Sequence, residues 1–118
     1  MKESQIQSQI VKYLRAVLLP NYIVAACPNG SQRTPGGYPA NAVAGLYPGF
    51  PDLMILGGGG RIWLLEVKAR KGRLSDKQSD FGDWCVQRGF VPWACVHGVD
   101  EVKNTLREWQ IPTREAAL

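Results

Sequence analysis

The segment IWLLEVKAR, residues 62–70, places two charged side chains inside a stretch that otherwise has the composition of a buried strand. Because side chains alternate along a strand, Glu66 and Lys68 share one face with Ile62 and Leu64. A charge buried among apolar side chains is costly unless it is paired or binds a cation. The pattern predicts a chemical site at this strand, against the simpler alternative of an exposed ion pair on an edge strand.

A second carboxylate, Asp52, opens the preceding strand, and a run of four glycines separates the two strands. If the hairpin pairs Leu56 with Ile62, Asp52 falls opposite Glu66 and the two carboxylates converge on one face. If the glycines alone form the loop, the register shifts by one residue and Asp52 faces the other side of the sheet. We predict the first register, because only that register forms a site. Taken alone, an aspartate directly after a proline is better explained as a turn residue.

Two converging carboxylates repel each other unless a cation lies between them. Their hard oxygen atoms suit Mg²⁺ or Mn²⁺, whereas zinc favours histidine and cysteine, and the single histidine, His97, has no partner at ligand spacing. A cation held by Asp52 and Glu66 would polarise a phosphoryl oxygen and lower the pKa of a bound water. Lys68 would orient that water or offset the charge that develops on phosphorus. These residue types at this spacing predict a metal-dependent phosphodiesterase.

A helix and a strand are predicted before the carboxylates. Apolar side chains at helical spacing predict a helix over residues 3–19 that ends before Pro20, with Ser4 or the chain start as its N-cap. The β-rich residues 21–26 predict a short strand. The long connection that follows is rich in glycine and proline, and is compatible with one short helical turn at residues 39–44.

A helix, a strand and a last helix are predicted after the lysine. Ser75 and Gln78 fit a capping box that begins a helix of about 14 residues, and Gly89 ends that helix. Residues 90–96 predict a strand, and Asp100 caps a final helix through Trp109. The predicted order of elements is therefore α-β-loop-β-β-α-β-α.

The composition of the 118-residue chain, 45% hydrophobic and 20% charged, predicts one globular domain over residues 1–118 with a loose tail from about 111. The net charge of +4 is compatible with a polyanionic partner without requiring one. No apolar run is long enough to cross a bilayer, and MKESQIQSQI lacks the apolar region of a secretory signal. Three cysteines in apolar settings, without a CxxC pair, indicate buried thiols in a reducing compartment. We therefore expect a cytoplasmic protein with no membrane partner.

Taken in order along the chain, these motifs resemble the VRR-NUC branch of the PD-(D/E)xK nucleases. The resemblance is carried by four features: the early helix with Glu3, the PN pair at residues 28–29, GLYPGFPDLMIL, and LLEVKARKGRLSDKQ. It extends from about residue 3 to residue 98. The PD…ExK pattern alone is weak, but the ordered set is specific. The resemblance implies an α/β fold of the restriction-endonuclease type, an αβββαβ core with a central mixed sheet flanked by helices.

The resemblance also implies an activity. Standalone members of this branch are small phage or bacterial proteins, so a bacterial or phage-infected host cell is the implied setting. The implied protein is a homodimeric, Mg²⁺- or Mn²⁺-dependent, structure-selective endonuclease acting on branched DNA, notably four-way Holliday junctions. Alternatives are a nuclease of the same fold for flaps, nicks or linear duplex, and a non-catalytic DNA-binding module. A chain this short would need a dimer with two sites to cut two strands symmetrically.

Four residues receive central roles by this resemblance. Asp52 and Glu66 are the implied metal ligands, with the backbone carbonyl of Val67 as a third oxygen. Lys68 is the implied catalytic lysine.

Two further residues receive supporting roles: Glu3 would assist through a water, and Gln78 would hold the site from the following helix. Each also has a simpler explanation, because helix N-termini favour acids and a capping box favours glutamine. The basic residues Arg70, Lys71 and Arg73 adjoin the predicted site, where they contact DNA phosphates or merely form a solvated turn.

Overall fold

The computed structural model of the chain describes residues 1–27, 47–89 and 91–115. Three helices and four strands follow one another in this part of the chain: α1 Glu3–Val17, β1 Tyr22–Ala26, β2 Leu53–Gly57, β3 Arg61–Val67, α2 Asp76–Arg88, β4 Trp93–Val96 and α3 Val99–Glu108. This order confirms the predicted α/β fold with its αβββαβ core. The predicted helical turn at residues 39–44 and the PN pair at 28–29 lie outside the described residues.

The strands form one mixed sheet in the order β1-β2-β3-β4. The first three strands are antiparallel neighbours, whereas β3 and β4 run parallel. A parallel pair needs a crossover between its strands, and α2 supplies it here. The sheet is therefore mixed because a helix, rather than a tight turn, joins its last two strands.

The hairpin between β2 and β3 has the predicted register. Leu56 pairs with Ile62, and continuing this register one residue before β2 brings Asp52 opposite Glu66. The turn itself is shorter than a loop from Gly57 to Arg61, because those two residues still pair with each other. Glycines at positions 59 and 60 have φ angles of 80° and 76°, which side chains rarely adopt.

One face of the sheet is covered by α1 and α3 and forms the hydrophobic core. Side chains at helical spacing on α1 pack against alternate residues of the strands, as amphipathic patterning requires. The core residues include Ile6, Ile10, Leu14, Leu53, Ile55, Trp63, Leu65, Val67, Val96, Val102 and Leu106. Asp52, Glu66 and their same-face neighbours therefore point to the opposite face.

Helix α2 lies on that opposite face, close to β4. A Cβ atom built on Gly82 would lie 2.7 Å from the indole ring of Trp93, so only glycine permits this approach. Ser75 caps α2 as predicted, with Gly89 at its C-cap at φ 67°. Together these contacts fix where the first turn of α2 meets the end of β3.

One predicted helix cap is wrong, and the other falls on one of its two alternatives. The N-cap of α1 is Lys2, at the chain start rather than at Ser4, and its backbone N–H donates to Oε1 of Gln5 at 2.9 Å. The N-cap of α3 is Gly98, so Asp100 lies inside the first turn. A carboxylate in a first turn is still favoured by the helix dipole, which explains its position without a capping bond.

The predicted loose tail is also wrong for residues 111–115. Ile111 is only 5% exposed and belongs to the core, and Thr113 forms a β-bridge with Leu18. The Tyr13 hydroxyl donates to Glu115 at 2.6 Å. The segment is held because it buries an apolar side chain and hydrogen-bonds to the end of α1.

In the described part of the chain, no helix is both long and apolar enough to cross a bilayer.

Candidate active site

The two predicted carboxylates are buried side by side at one end of β2 and β3. Asp52 is 7% exposed and Glu66 is 1% exposed. The backbone N–H of Val67 donates to Oδ2 of Asp52 at 2.8 Å, which ties the start of β2 to the end of β3. The hairpin register and this hydrogen bond together bring the two acids to one place.

Their proximity in a buried setting changes the acidity of Glu66. Burial, followed by a hydrogen bond to and repulsion from Asp52, raises the pKa of Glu66 to about 9, against a lowering by Lys68. A hydrogen bond between two carboxyl groups exists only while one of them holds a proton. At neutral pH the Glu66 carboxyl group therefore holds a proton unless another positive charge compensates its burial.

The carboxylate oxygens of Asp52 and Glu66 are ligands of the kind that bind hard cations such as Mg²⁺. Oε1 of Glu66 is buried with no hydrogen-bond partner, which is unusual for a carboxylate oxygen. Across the described ranges, no group of three or more His, Cys, Asp or Glu side chains is arranged to hold a metal ion. A cation here would therefore rely on Asp52 and Glu66, with backbone and water oxygens completing its shell. Two close carboxylates and one unsatisfied oxygen fit such an ion.

Lys68 lies beside the acid pair and faces α1. Its Nζ is 3.9 Å from Oε2 of Glu3, and its side chain is only 11% exposed. Its backbone N–H donates to the carbonyl of Val96, which extends the β3–β4 pairing past the end of β3. The strand thus holds the ammonium group between Glu66 and the first turn of α1.

Gln78 is both a capping residue and a neighbour of the acid pair. Its Oε1 accepts from the backbone N–H of Ser75 at 2.9 Å, and its Nε2 donates to Oε2 of Glu66 at 3.4 Å. The capping bond uses the oxygen of the amide and so directs its nitrogen towards Glu66. One Gln78 side chain therefore both caps α2 and contacts Glu66, so the two explanations predicted from the sequence are compatible.

Sequence reasoning missed that two cysteines flank the acids. Glu66 pairs with Cys95 across β3 and β4, and the β1–β2 register continues to bring Cys27 beside Asp52. Both thiols are partly exposed, so only Cys85 matches the expected burial. Applying the same register argument to β1 and β4 would have found this row.

Sequence reasoning also missed Gly49, three residues before Asp52. It has a φ of 83°, and a Cβ atom there would lie 2.4 Å from the carbonyl oxygen of Lys77. The backbone before β2 therefore packs directly on the first turn of α2. The glycine within PGFPD was the available signal for this close approach.

The basic turn after β3 lies next to Glu3. Arg70, Lys71 and Arg73 are exposed, and a Cβ atom on Gly72 would lie 3.5 Å from Oε2 of Glu3. The predicted phosphate-contacting residues thus border the acids and the lysine. His97 instead contacts α3, where its Nδ1 is 3.0 Å from Oε1 of Glu101.

A mixed four-stranded sheet that brings an aspartate, a glutamate and a lysine together at one end places the chain in the class of restriction-endonuclease-like proteins. The VRR-NUC domain profile matches residues 2–99, and the chain therefore belongs to the VRR-NUC family, as predicted. This is a family of nuclease domains, which supports a nuclease role for the chain.

The fold comparison agrees with the family assignment. A solved structure described as a VRR_NUC domain superposes with a TM-score of 0.61 at 20% sequence identity. The match covers 92% of this chain and 96% of that chain. At this identity the agreement concerns the fold. No curated protein matches the sequence.

Proposed function

We propose that this protein is a metal-dependent, structure-selective endonuclease that hydrolyses phosphodiester bonds in branched DNA, with Holliday junctions as its main substrate. The observation that carries the proposal is the buried Asp52–Glu66 pair with Lys68 beside it. Burying two acids against each other is unfavourable in a merely structural position. In a chain of a nuclease family, a catalytic role explains why the two acids are buried together.

Asp52 and Glu66, with the carbonyl of Val67, are the proposed ligands for Mg²⁺ or Mn²⁺. When bound, such an ion polarises the phosphoryl oxygen and acidifies a water. The unsatisfied Oε1 of Glu66 supports this assignment, because a ligand oxygen needs no other partner. The Val67 N–H holds Oδ2 of Asp52 and so orients that carboxylate towards the shared site.

Lys68 is the proposed catalytic lysine. In hydrolysis, the water oxygen bonds to phosphorus, the P–O bond to the leaving oxygen breaks, and the water proton passes to solvent or a nearby base. The ammonium group of Lys68 orients the attacking water and offsets the negative charge that accumulates on phosphorus. Its low exposure strengthens that effect, since bulk water screens it less.

Glu3 and Gln78 are proposed to support the reaction from the two helices. Glu3, 3.9 Å from the Lys68 ammonium group, positions the lysine and a water. Gln78 holds Glu66 through its amide nitrogen while its oxygen caps α2.

The basic turn is the proposed DNA contact. Arg70, Lys71 and Arg73 are exposed beside the site and would bind backbone phosphates. Such contacts release counterions, so DNA affinity should fall as salt rises. Symmetric cutting of a four-way junction further requires two sites, and we propose a homodimer to supply them.

The test is cleavage of labelled four-way junctions, flaps, nicked duplexes and linear duplexes with Mn²⁺, Mg²⁺ or EDTA. We expect junction cleavage with either metal and none in EDTA. Lys68→Ala should reduce cleavage at least about 100-fold, because it removes transition-state charge stabilisation, while DNA affinity stays within a few-fold. Lys12→Ala, which changes an exposed lysine on α1, is the matched control and should cleave normally.

The remaining outcomes identify the alternatives. Equal cutting of all substrates would replace the junction assignment with a flap, nick or nonspecific duplex nuclease of the same fold. DNA binding without cleavage in any metal would indicate a non-catalytic DNA-binding module. Full activity of Lys68→Ala would remove the proposed role of that lysine.

A further inference from the structure

A cleft of about 560 Å³ lies between the first half of α1 and the first turn of α3. Its apolar lining includes Ile6 and Val99. Its polar lining is formed by Gln9, Arg70, His97, Asp100 and Glu101. A volume of this order is that of a site for a small ligand. The cleft is therefore large enough for one nucleotide and too small for a duplex.

The cleft adjoins the candidate active site on the side of Lys68. The backbone N–H of Lys68 donates to the carbonyl of Val96 at 3.0 Å, and His97 is the next residue. On α1, Ile6 lies one turn after Glu3, whose carboxylate is 3.9 Å from the Lys68 ammonium group. A DNA strand with a phosphate at Lys68 therefore has a neighbouring nucleotide beside the cleft.

The charged side chains of the cleft suit neither a second metal ion nor a continuous phosphate backbone. Among the residues that the structure describes, no three His, Cys, Asp or Glu side chains are placed to hold a metal ion, so His97, Asp100 and Glu101 do not form a metal centre. The exposed carboxylates of Asp100 and Glu101 would repel a row of phosphates. Arg70 is exposed and can compensate a single phosphate. These charges fit a ligand with one phosphate and an uncharged ring.

The remaining side chains have the chemistry that recognises a base. Carboxylates accept hydrogen bonds from exocyclic amino groups, and a glutamine amide both donates to and accepts from a base edge. Asp100 and Gln9 present these groups. Nδ1 of His97 is 3.0 Å from Oε1 of Glu101, which orients the imidazole ring, and the His97 side chain is 32% exposed. An oriented, accessible ring is a surface on which an unstacked base can lie.

We propose that this cleft takes one unpaired base of the DNA strand that is cut, with the adjacent phosphate on Arg70. Gln9, His97 and Asp100 contact the base. The proposal rests on the proposed nuclease function and deepens it, because it names the feature of a branched substrate that the protein selects. A base leaves the stack at low cost where DNA is branched or unpaired, whereas in a continuous duplex its pairing and stacking must first be broken.

The first test measures base extraction in EDTA, so that no cleavage is required. A four-way junction carries 2-aminopurine, an adenine analogue that fluoresces when unstacked, at each branch-point nucleotide in turn. We expect the full-length protein to raise the fluorescence at one position, and His97→Ala and Gln9→Ala to lose that rise. Gln7→Ala is the matched control and should keep it, because Gln7 lies on the same helix but outside the cleft.

The second test measures cleavage of the same junction with Mn²⁺. Removing the base at the responding position should slow cleavage by the unaltered chain about tenfold, as expected for the loss of one stacked base. The same removal should have no further effect on His97→Ala, because that variant no longer holds the base. Circular dichroism would establish that each variant is folded. Gln9→Ala removes an exposed side chain and so tests the cleft even if His97→Ala does not fold.

Fluorescence that stays unchanged at every position, or that rises equally with His97→Ala and Gln9→Ala, would overturn the proposal. So would a failure to bind the junction. Stabilisation by free deoxyadenosine monophosphate, lost in His97→Ala and without any fluorescence response from the junction, would assign the cleft to a free nucleotide instead. A protein that extracts the base but cuts nothing would leave the cleft assignment standing and remove the nuclease function.

Discussion

At the residue scale, the candidate site is defined by an electrostatic conflict. Asp52 and Glu66 are both buried, and burial with repulsion raises the pKa of Glu66 to about 9. The folded protein without a cation therefore binds a proton that the unfolded chain, with an ordinary glutamate, releases above about pH 4.5. A site arranged for catalysis commonly keeps such unfavourable charges at the expense of stability.

We predict that Glu66→Gln stabilises the protein in EDTA at pH 8 by more than about 1.4 kcal/mol, the value of one pKa unit. In the unaltered chain the folded state holds more protons between pH 4.5 and 9, so its unfolding free energy should fall as pH rises through that window. In Glu66→Gln, the unfolding free energy should not fall in this way between pH 4.5 and 9. Urea unfolding at several pH values measures both effects.

The same variant should lose the stabilisation by Mn²⁺ that we expect of the unaltered chain, because one of its two carboxylate ligands is gone. Glu108→Gln is a control, since it changes an exposed glutamate at the last residue of α3. A less stable Glu66→Gln variant at pH 8 would show that the carboxylate is held by favourable contacts instead.

At the element scale, the site depends on how the start of β2 and the end of β3 meet the first turn of α2. Gly49 lets the backbone before β2 pack on α2, and the Ser75–Gln78 capping box fixes the helix end against Glu66. These contacts hold the start of β2, the end of β3 and the first turn of α2 against one another. A change that separates the elements should therefore impair the site without altering any of its charged groups.

We predict that Gly49→Ala destabilises the protein by more than Gly59→Ala and reduces cleavage at least tenfold. Both glycines have a positive φ, of 83° and 80°, so both substitutions carry the left-handed backbone cost of about 1–2 kcal/mol. Only at Gly49 would the new Cβ also collide with backbone, 2.4 Å from the Lys77 carbonyl oxygen, whereas nothing lies within 4 Å at Gly59. Thermal unfolding and junction cleavage of the two variants compare these effects. Equal losses would mean that the loop accommodates the collision.

At the scale of the whole molecule, α1 and α3 cover one face of the sheet while α2 covers only part of the other. The segment after α3 completes the covered side, because Ile111 enters the core and Arg114 hydrogen-bonds to the end of α1. The stability of the domain thus depends on residues that the composition of the tail did not mark as structural.

We predict that Ile111→Ala lowers the unfolding free energy by about 2–5 kcal/mol, the usual cost of removing a buried isoleucine side chain. Arg114→Ala, which removes an exposed side chain but keeps the backbone bond to Val17, should change stability by less than about 0.5 kcal/mol. Urea unfolding of both variants makes the comparison. A near-neutral Ile111→Ala would show that the segment is peripheral to the core.

The sequence by itself determined the order of elements and the capping box of α2, and it limited the hairpin to two registers. Each of these follows from local rules: side-chain alternation, capping preferences, and the requirement that apolar residues share a face. The family motifs, GFPD and EVK, lie within the segments whose periodicity is clearest. Of the two registers, only the one that pairs Leu56 with Ile62 places Asp52, Glu66 and Lys68 together, and the tertiary structure has that register.

Only the tertiary structure decided what surrounds that trio. The approach of Gly49 to α2, the contact of Gln78 with Glu66 and the burial of Ile111 all join residues distant in sequence. Their energies depend on shape and on which surfaces remain uncovered, and no local pattern records either. A tail with an ordinary composition can therefore complete a core, while an isoleucine on a strand, Ile23, remains 61% exposed.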